Sequence, residues 1–130
     1  MTEIVGSMQQ VIDYLVDEVP GITGALVSSA DGFVLADRLP EGNLSDVDAL
    51  GAMSASALAL SSRLMKSVGE APATVTHQRS TDGQVVVIPI AHIAVLTLLA
   101  TSTADTEHVT LVGRETCSQL QRLFRGSADV

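Results

Sequence analysis

The sequence predicts a single α/β (α+β) domain whose elements follow the order αββαβββα. Val19-Pro20-Gly21 ends a first amphipathic segment, and Ala30-Asp31-Gly32 then separates two short apolar runs, as in a β-hairpin. Three more strand-like runs follow a long central helix. The first predicted strand is apolar or small on both faces, so the sheet requires helices on both of its sides.

Periodicity defines the first helix and the hairpin. Apolar residues recur at steps of three and four from Ile4 to Val19, which predicts an amphipathic helix over residues 3–18. We expect the hairpin strands at 22–28 and 33–37, because an Asp-Gly pair tolerates the left-handed conformations that tight hairpin turns require.

The central helix has both a start signal and a stop signal. Ser45 and Asp48 have the spacing of a capping box, so we expect the helix to run over residues 46–68. Gly69, with Pro72 shortly after it, marks the end of the helix.

The C-terminal half alternates apolar runs with turn residues. We expect strands at 73–79, 84–89 and 93–100. Ser102 and Asp105 provide a cap for a last helix over residues 104–124. Residues 1–126 are therefore predicted to form one domain, and residues 127–130 a frayed tail.

Charge and cysteine usage exclude several classes of protein. The net charge is −8, and residues 1–50 contain nine acids and one base, Arg38. An acidic surface with three aromatic side chains is unsuited to nucleic acid, so its role is solubility or the steering of a partner. Cys117 is alone, which excludes a disulfide framework. We expect a cytoplasmic protein without membrane insertion, because no apolar run reaches about 20 residues.

Residues 49–62 of the central helix carry no charge and contain two stripes. We expect the first stripe to face the sheet; it consists of Leu50, Met53, Ala57, Leu60 and Leu64. The second stripe has no evident partner within the chain; it consists of Gly51, Ala55, Leu58, Ser62 and Met65. We predict a two-fold homodimer in which the second stripe packs on its copy, the alternative being a helix buried within a monomer. The strand at 73–79, with Val75 and His77, is expected to pair across the same axis.

The sequence contains no catalytic pattern. Cys117 and the three histidines, His77, His92 and His108, fall on separate predicted elements, and no phosphate-binding glycine motif is present. Asp46 and Asp48 are explained by a helix cap. Arg38, Arg63 and Arg79 are each candidates for a charge-stabilising finger, but a solvated surface role is favoured because no preorganised loop is evident. We therefore predict no catalytic, cofactor-binding or metal residue, and no enzyme.

The element order, the Val19-Pro20-Gly21 stop, the Ala30-Asp31-Gly32-Phe33-Val34-Leu35 hairpin and the Ala/Ser/Leu-rich helix resemble the roadblock/LC7 family. The resemblance covers residues 4 to 124. It implies a profilin-like fold with a five-stranded antiparallel sheet, the long helix on one face and the two terminal helices on the other. It also implies a homodimer formed through the long helix and the third strand.

The function implied by the resemblance is that of a non-enzymatic regulator or scaffold for a small Ras-like GTPase, and bacterial members often accompany a sensor-kinase-like protein. We expect the chain to modulate the nucleotide cycle of such a GTPase, with a GTPase-activating role as the finer form of this hypothesis. Two alternatives remain open at this point: a small-molecule sensor, and a structural adaptor that leaves GTP turnover unchanged.

Overall fold

The computed structural model describes residues 2–42 and 46–128 and has the predicted element order. The helices are α1 (Thr2–Glu18), α2 (Val47–Ser67) and α3 (Thr106–Ala128). The strands are β1 (Ile22–Ser29), β2 (Val34–Arg38), β3 (Thr76–Arg79), β4 (Gly83–Ile90) and β5 (Ala94–Thr101). The predicted fold class is confirmed.

The five strands form one antiparallel sheet in the order β2-β1-β5-β4-β3. One face packs against α1 and α3, which also contact each other, and α2 crosses the opposite face and contacts all five strands. The main core lies between the sheet and the α1–α3 pair; fully buried members include Ile12, Val86, Leu96 and Leu120. Strands β2 and β3 are the edges of the sheet. The backbone of β2 is partly covered by α1, since Gln9 Nε2 donates to Asp37 O at 2.8 Å, whereas β3 has no further strand on its outer side within the described residues.

The N-cap of helix α2 lies one residue later in the chain than predicted. Asp46, rather than Ser45, is the N-cap, and its side chain accepts a hydrogen bond from Ala49 N at 3.2 Å. Ser45 lies outside the described residues. The predicted stop is confirmed: Gly69 has φ 82°, and Gly69 N donates to Lys66 O at 3.0 Å. This left-handed glycine satisfies carbonyls that would otherwise have no partner at the end of the helix.

Two other elements, β3 and α3, differ from the prediction by more than one residue. Strand β3 begins at Thr76 rather than at residue 73, because Ala73 N donates to Ser62 Oγ of α2 instead of to a neighbouring strand. Helix α3 begins at Thr106 rather than at residue 104, and its cap is Asp105 instead of Ser102 of the predicted pair, since the Asp105 side chain accepts a hydrogen bond from Glu107 N at 3.0 Å. The helix also continues beyond residue 124 and through Ala128. Gly126 is unfavourable within a helix by about 1 kcal/mol relative to alanine, which is too little to end it. Residues 129–130 of the predicted tail lie outside the described residues.

The orientation of α2 is the opposite of the predicted one. Gly51 is buried against the sheet, where an added Cβ would lie 2.9 Å from Gly32 O and 2.9 Å from a methyl carbon of Val34. The stripe of small residues therefore faces the sheet, and the stripe of large residues faces outward. The physical reason is distance: small side chains allow the helix backbone to lie close to the strands, and the Gly32 turn fits only against a glycine.

Candidate protein-interaction site

Three large apolar side chains form a row on the outer side of α2. Met53 is 61% exposed, Leu60 67% and Leu64 65%. Their spacing of seven and four residues places them on one side of the helix, and Ala57 lies between them. We call Met53, Ala57, Leu60 and Leu64 the outer stripe. Residues 49–62 carry no charge, so the part of this row from Met53 to Leu60 has no ionised side chain beside it on the helix.

The residues predicted for the dimer interface separate into two groups. Four of them lie on the side of α2 that faces the sheet. Gly51 is buried there, and Ala55, Leu58 and Ser62 are half-buried. Met65 is exposed at the end of the helix. Val75 is half-buried against the core, and His77 is exposed on β3. The outer stripe is therefore the more exposed side of α2 in the single chain, and the predicted interface itself stays a prediction.

The sequence contained one signal for the correct orientation. Gly51 is the one glycine in the central helix, and Gly32 occupies a turn that precedes it in the chain. Two glycines on separate elements are typical of a close approach between backbones. The sequence pattern did not show that these two would meet.

Strand β3 is an edge strand held in place by a buried glutamine. Gln84 on β4 donates to Thr101 O and to Ala104 O, each at 2.9 Å. Its Oε1 atom accepts from Thr106 Oγ1 and lies 2.8 Å from His77 Nε2. Because the amide nitrogen is committed to two carbonyls, the oxygen is the acceptor, and His77 Nε2 carries the proton. This network connects the edge strand to the start of α3.

Two of the three arginines considered as fingers are bound within the chain. Arg38 donates to Asp17 at 2.7 Å and to Asp13 at 3.3 Å, and these carboxylates raise the pKa of its guanidinium. Arg79 donates to Ser102 O at 2.7 Å. Arg63 is exposed on α2. Arg38 and Arg79 would have to lose these bonds before either could reach a partner.

The one cysteine of the chain, Cys117, is buried. Burial raises the pKa of the Cys117 thiol to about 12, so this thiol stays protonated and is a poor nucleophile. Within residues 2–42 and 46–128, no group of three His, Cys, Asp or Glu side chains is placed to hold a metal ion. None of the helices in the described part of the chain has the length and apolar character needed to cross a membrane.

The Roadblock/LC7 domain family model matches residues 8–100 of the chain. The chain belongs to the roadblock/LC7 family. No curated protein matches this roadblock/LC7 domain. The match spans α1 to β5 and includes the outer stripe and the β3 edge. The resemblance deduced from the hairpin and the long helix is therefore confirmed.

Solved structures agree with this assignment. An MglB structure with a tetrameric arrangement is 25% identical over 92% of this chain and 89% of its own, with a TM-score of 0.82. The gliding protein MglB from Thermus thermophilus is 24% identical over 92% of this chain and 90% of its own, with a TM-score of 0.81. Profilin IA of Acanthamoeba castellanii is 15% identical over 87% and 95% of the chains, with a TM-score of 0.64. The profilin-like fold is confirmed.

Proposed function

We propose that this roadblock/LC7 domain forms a homodimer that binds a small Ras-like GTPase and modulates its nucleotide cycle. The observation that carries the proposal is the outer stripe of α2, an uncharged apolar row beside an open sheet edge. A domain built in this way presents an apolar surface to another protein. Membership of the roadblock/LC7 family supports a GTPase as the partner.

The outer stripe supports a second copy of the chain as its first occupant. Fully burying one Leu or Met side chain contributes about 1.5–3 kcal/mol, and each chain exposes three such side chains in one row. A two-fold arrangement would bring both rows together and would place the two β3 edges near the same axis. The similar MglB structure has a tetrameric arrangement, which also supports self-association.

The proposed mechanism is positioning without a catalytic group of this chain. Arg38 and Arg79 are bound to other residues of the chain, and Cys117 is buried. A rigid dimer could accelerate or slow GTP hydrolysis by selecting one arrangement of the GTPase's own switch segments. We therefore propose a regulator that is not itself an enzyme. A sensor-kinase-like protein as an additional partner stays a prediction.

The test is single-turnover GTP hydrolysis by a small Ras-like GTPase from the same genome, with and without an excess of the wild-type chain. We expect the hydrolysis rate to change at least severalfold and to saturate with the concentration of dimer. A GTPase that binds with no change in rate would instead support the structural adaptor. A GTPase that neither binds nor responds would contradict the proposed function.

A further inference from the structure

Two of the three hairpin turns of the sheet, those between β1 and β2 and between β4 and β5, lie side by side. Ala30 N donates to Ile93 O at 3.2 Å, which joins the β1–β2 turn to the β4–β5 turn. Each turn exposes a large apolar side chain, since Phe33 is 72% exposed and Ile93 44%. A single exposed apolar side chain is common on protein surfaces, whereas two on adjoining turns begin to form a patch.

Helix α2 extends this patch with alanines. Ala52 lies against the first turn, because a Cβ on Gly32 would be 2.9 Å from Ala52 Cα. Ala55 and Ala59 follow at helical spacing and line a shallow hollow of about 160 Å³, whose other wall includes Ala91. The hairpin-tip surface is defined by the turns at 30–33 and 91–93 together with Ala52, Ala55 and Ala59.

The backbone of the second turn is strained. Ala91 has φ 50°, and it is the one non-glycine residue with positive φ in the described part of the chain. This conformation is unfavourable for any residue with a Cβ, and strained turns are concentrated at binding sites. His92 and Ile93 follow Ala91 in this turn and are both exposed, and His92 lines the hollow.

The charge around the hairpin-tip surface is negative. Asp31 is exposed next to Phe33, and the exposed Asp48 lies one helical turn before Ala52 on the same side of α2. The one base among residues 1–50 is Arg38, which is already bound to Asp13 and Asp17. A partner would therefore match this surface with an apolar centre flanked by Lys or Arg side chains.

We propose that the hairpin-tip surface is the docking face for the small GTPase. The inference rests on the proposed function, which identifies the partner as a small GTPase. The charges and exposed apolar side chains of the hairpin-tip surface indicate where that partner binds. The surface adjoins the outer stripe, since Ala52 and Met53 are consecutive residues of α2. A dimer formed through the outer stripes would thus present one docking face on each chain next to the interface.

Calorimetric titration with the GTP-loaded GTPase tests this face, with Phe33→Ser and Asp48→Lys compared with wild type. Phe33→Ser preserves the hydrogen bonds to Ser29, because Phe33 makes them with main-chain atoms. We expect binding at least about tenfold weaker for Phe33→Ser, and about fivefold weaker for Asp48→Lys with a reduced salt dependence.

Helix α3, on the other side of the sheet, provides matched controls. Leu111 is an exposed apolar residue and is the control for Phe33. Glu107 is an acid in the first turn of α3, as Asp48 is in α2, so each charge reversal has the same unfavourable interaction with the dipole of its own helix. Leu111→Ser and Glu107→Lys should bind within about twofold of wild type.

Each outcome has a distinct meaning. Weaker binding of both tip variants with unchanged controls supports the inference, provided that circular dichroism and sedimentation show intact folded dimers. Wild-type affinity in both tip variants would overturn the docking face and leave the proposed function standing. No binding by the wild-type chain would overturn both.

Discussion

At the scale of single residues, the contact between Gly51 and Gly32 determines which side of α2 meets the sheet. Any side chain at position 51 would contact the carbonyl oxygen of Gly32, a backbone atom that cannot move without displacing the hairpin turn. The apolar pattern alone predicted that the stripe of larger side chains faces the sheet. Such a pattern reflects hydrophobicity and gives no information on how closely the helix approaches the strands. The preference for small residues at a close approach therefore outweighed hydrophobicity here.

This contact predicts opposite effects for two glycine-to-alanine changes in helices. Gly51→Ala should lower the free energy of unfolding by about 1–3 kcal/mol, because the new methyl group overlaps Gly32 O. Gly6→Ala in α1 should raise it by about 0.5–1 kcal/mol, because nothing lies within 4 Å of the added Cβ. Urea unfolding measures both values. An equal stabilisation by the two changes would contradict the orientation given for α2.

At the scale of elements, local signals predicted most of the fold. The Asp31-Gly32 turn, the Gly69 stop and the Asp105 cap each act within a few residues, so the sequence contains what is needed to place them. The shorter β3 depends on a hydrogen bond between Ala73 and Ser62, eleven residues apart. The candidate site was half predicted: the uncharged helix and the open edge were found, but the outward face was not.

The corrected face of α2 predicts different outcomes for two neighbouring leucines. Leu60→Arg should leave the chain folded and separate the dimer, because residue 60 is exposed in the monomer and is central in the outer stripe. Leu58→Arg should lower the free energy of unfolding, because it places a charge at a half-buried position that faces the sheet. Thermal unfolding and sedimentation distinguish the two effects. A folded, dimeric Leu60→Arg variant would contradict the role of the outer stripe.

The glutamine that anchors β3 supplies a second prediction at this scale. Gln84→Leu should destabilise the fold by about 2–4 kcal/mol, because Thr101 O and Ala104 O lose a buried donor and His77 loses its acceptor. Gln78→Leu, at an exposed position of β3, should change stability by less than about 0.5 kcal/mol. Chemical denaturation compares the pair. Similar losses for both would show that Gln84 does not anchor the edge strand.

At the scale of the whole molecule, the proposed function follows from surfaces rather than from reactive groups. The roadblock/LC7 fold places an acidic hairpin end, an apolar helix row and an open strand edge on one body. The sequence could predict this architecture because turns and periodicity are local properties. It could not predict the exact surface, because exposure depends on how α2 is rotated against the sheet.

The proposed homodimer depends on the outer stripe of α2. Sedimentation velocity at tens of micromolar tests it most directly, with wild type and Leu60→Arg run side by side. We expect a wild-type mass of about 27 kDa, twice the chain mass of 13.5 kDa, and a folded monomer for the variant. A wild-type chain that sediments as a single 13.5 kDa species would contradict it.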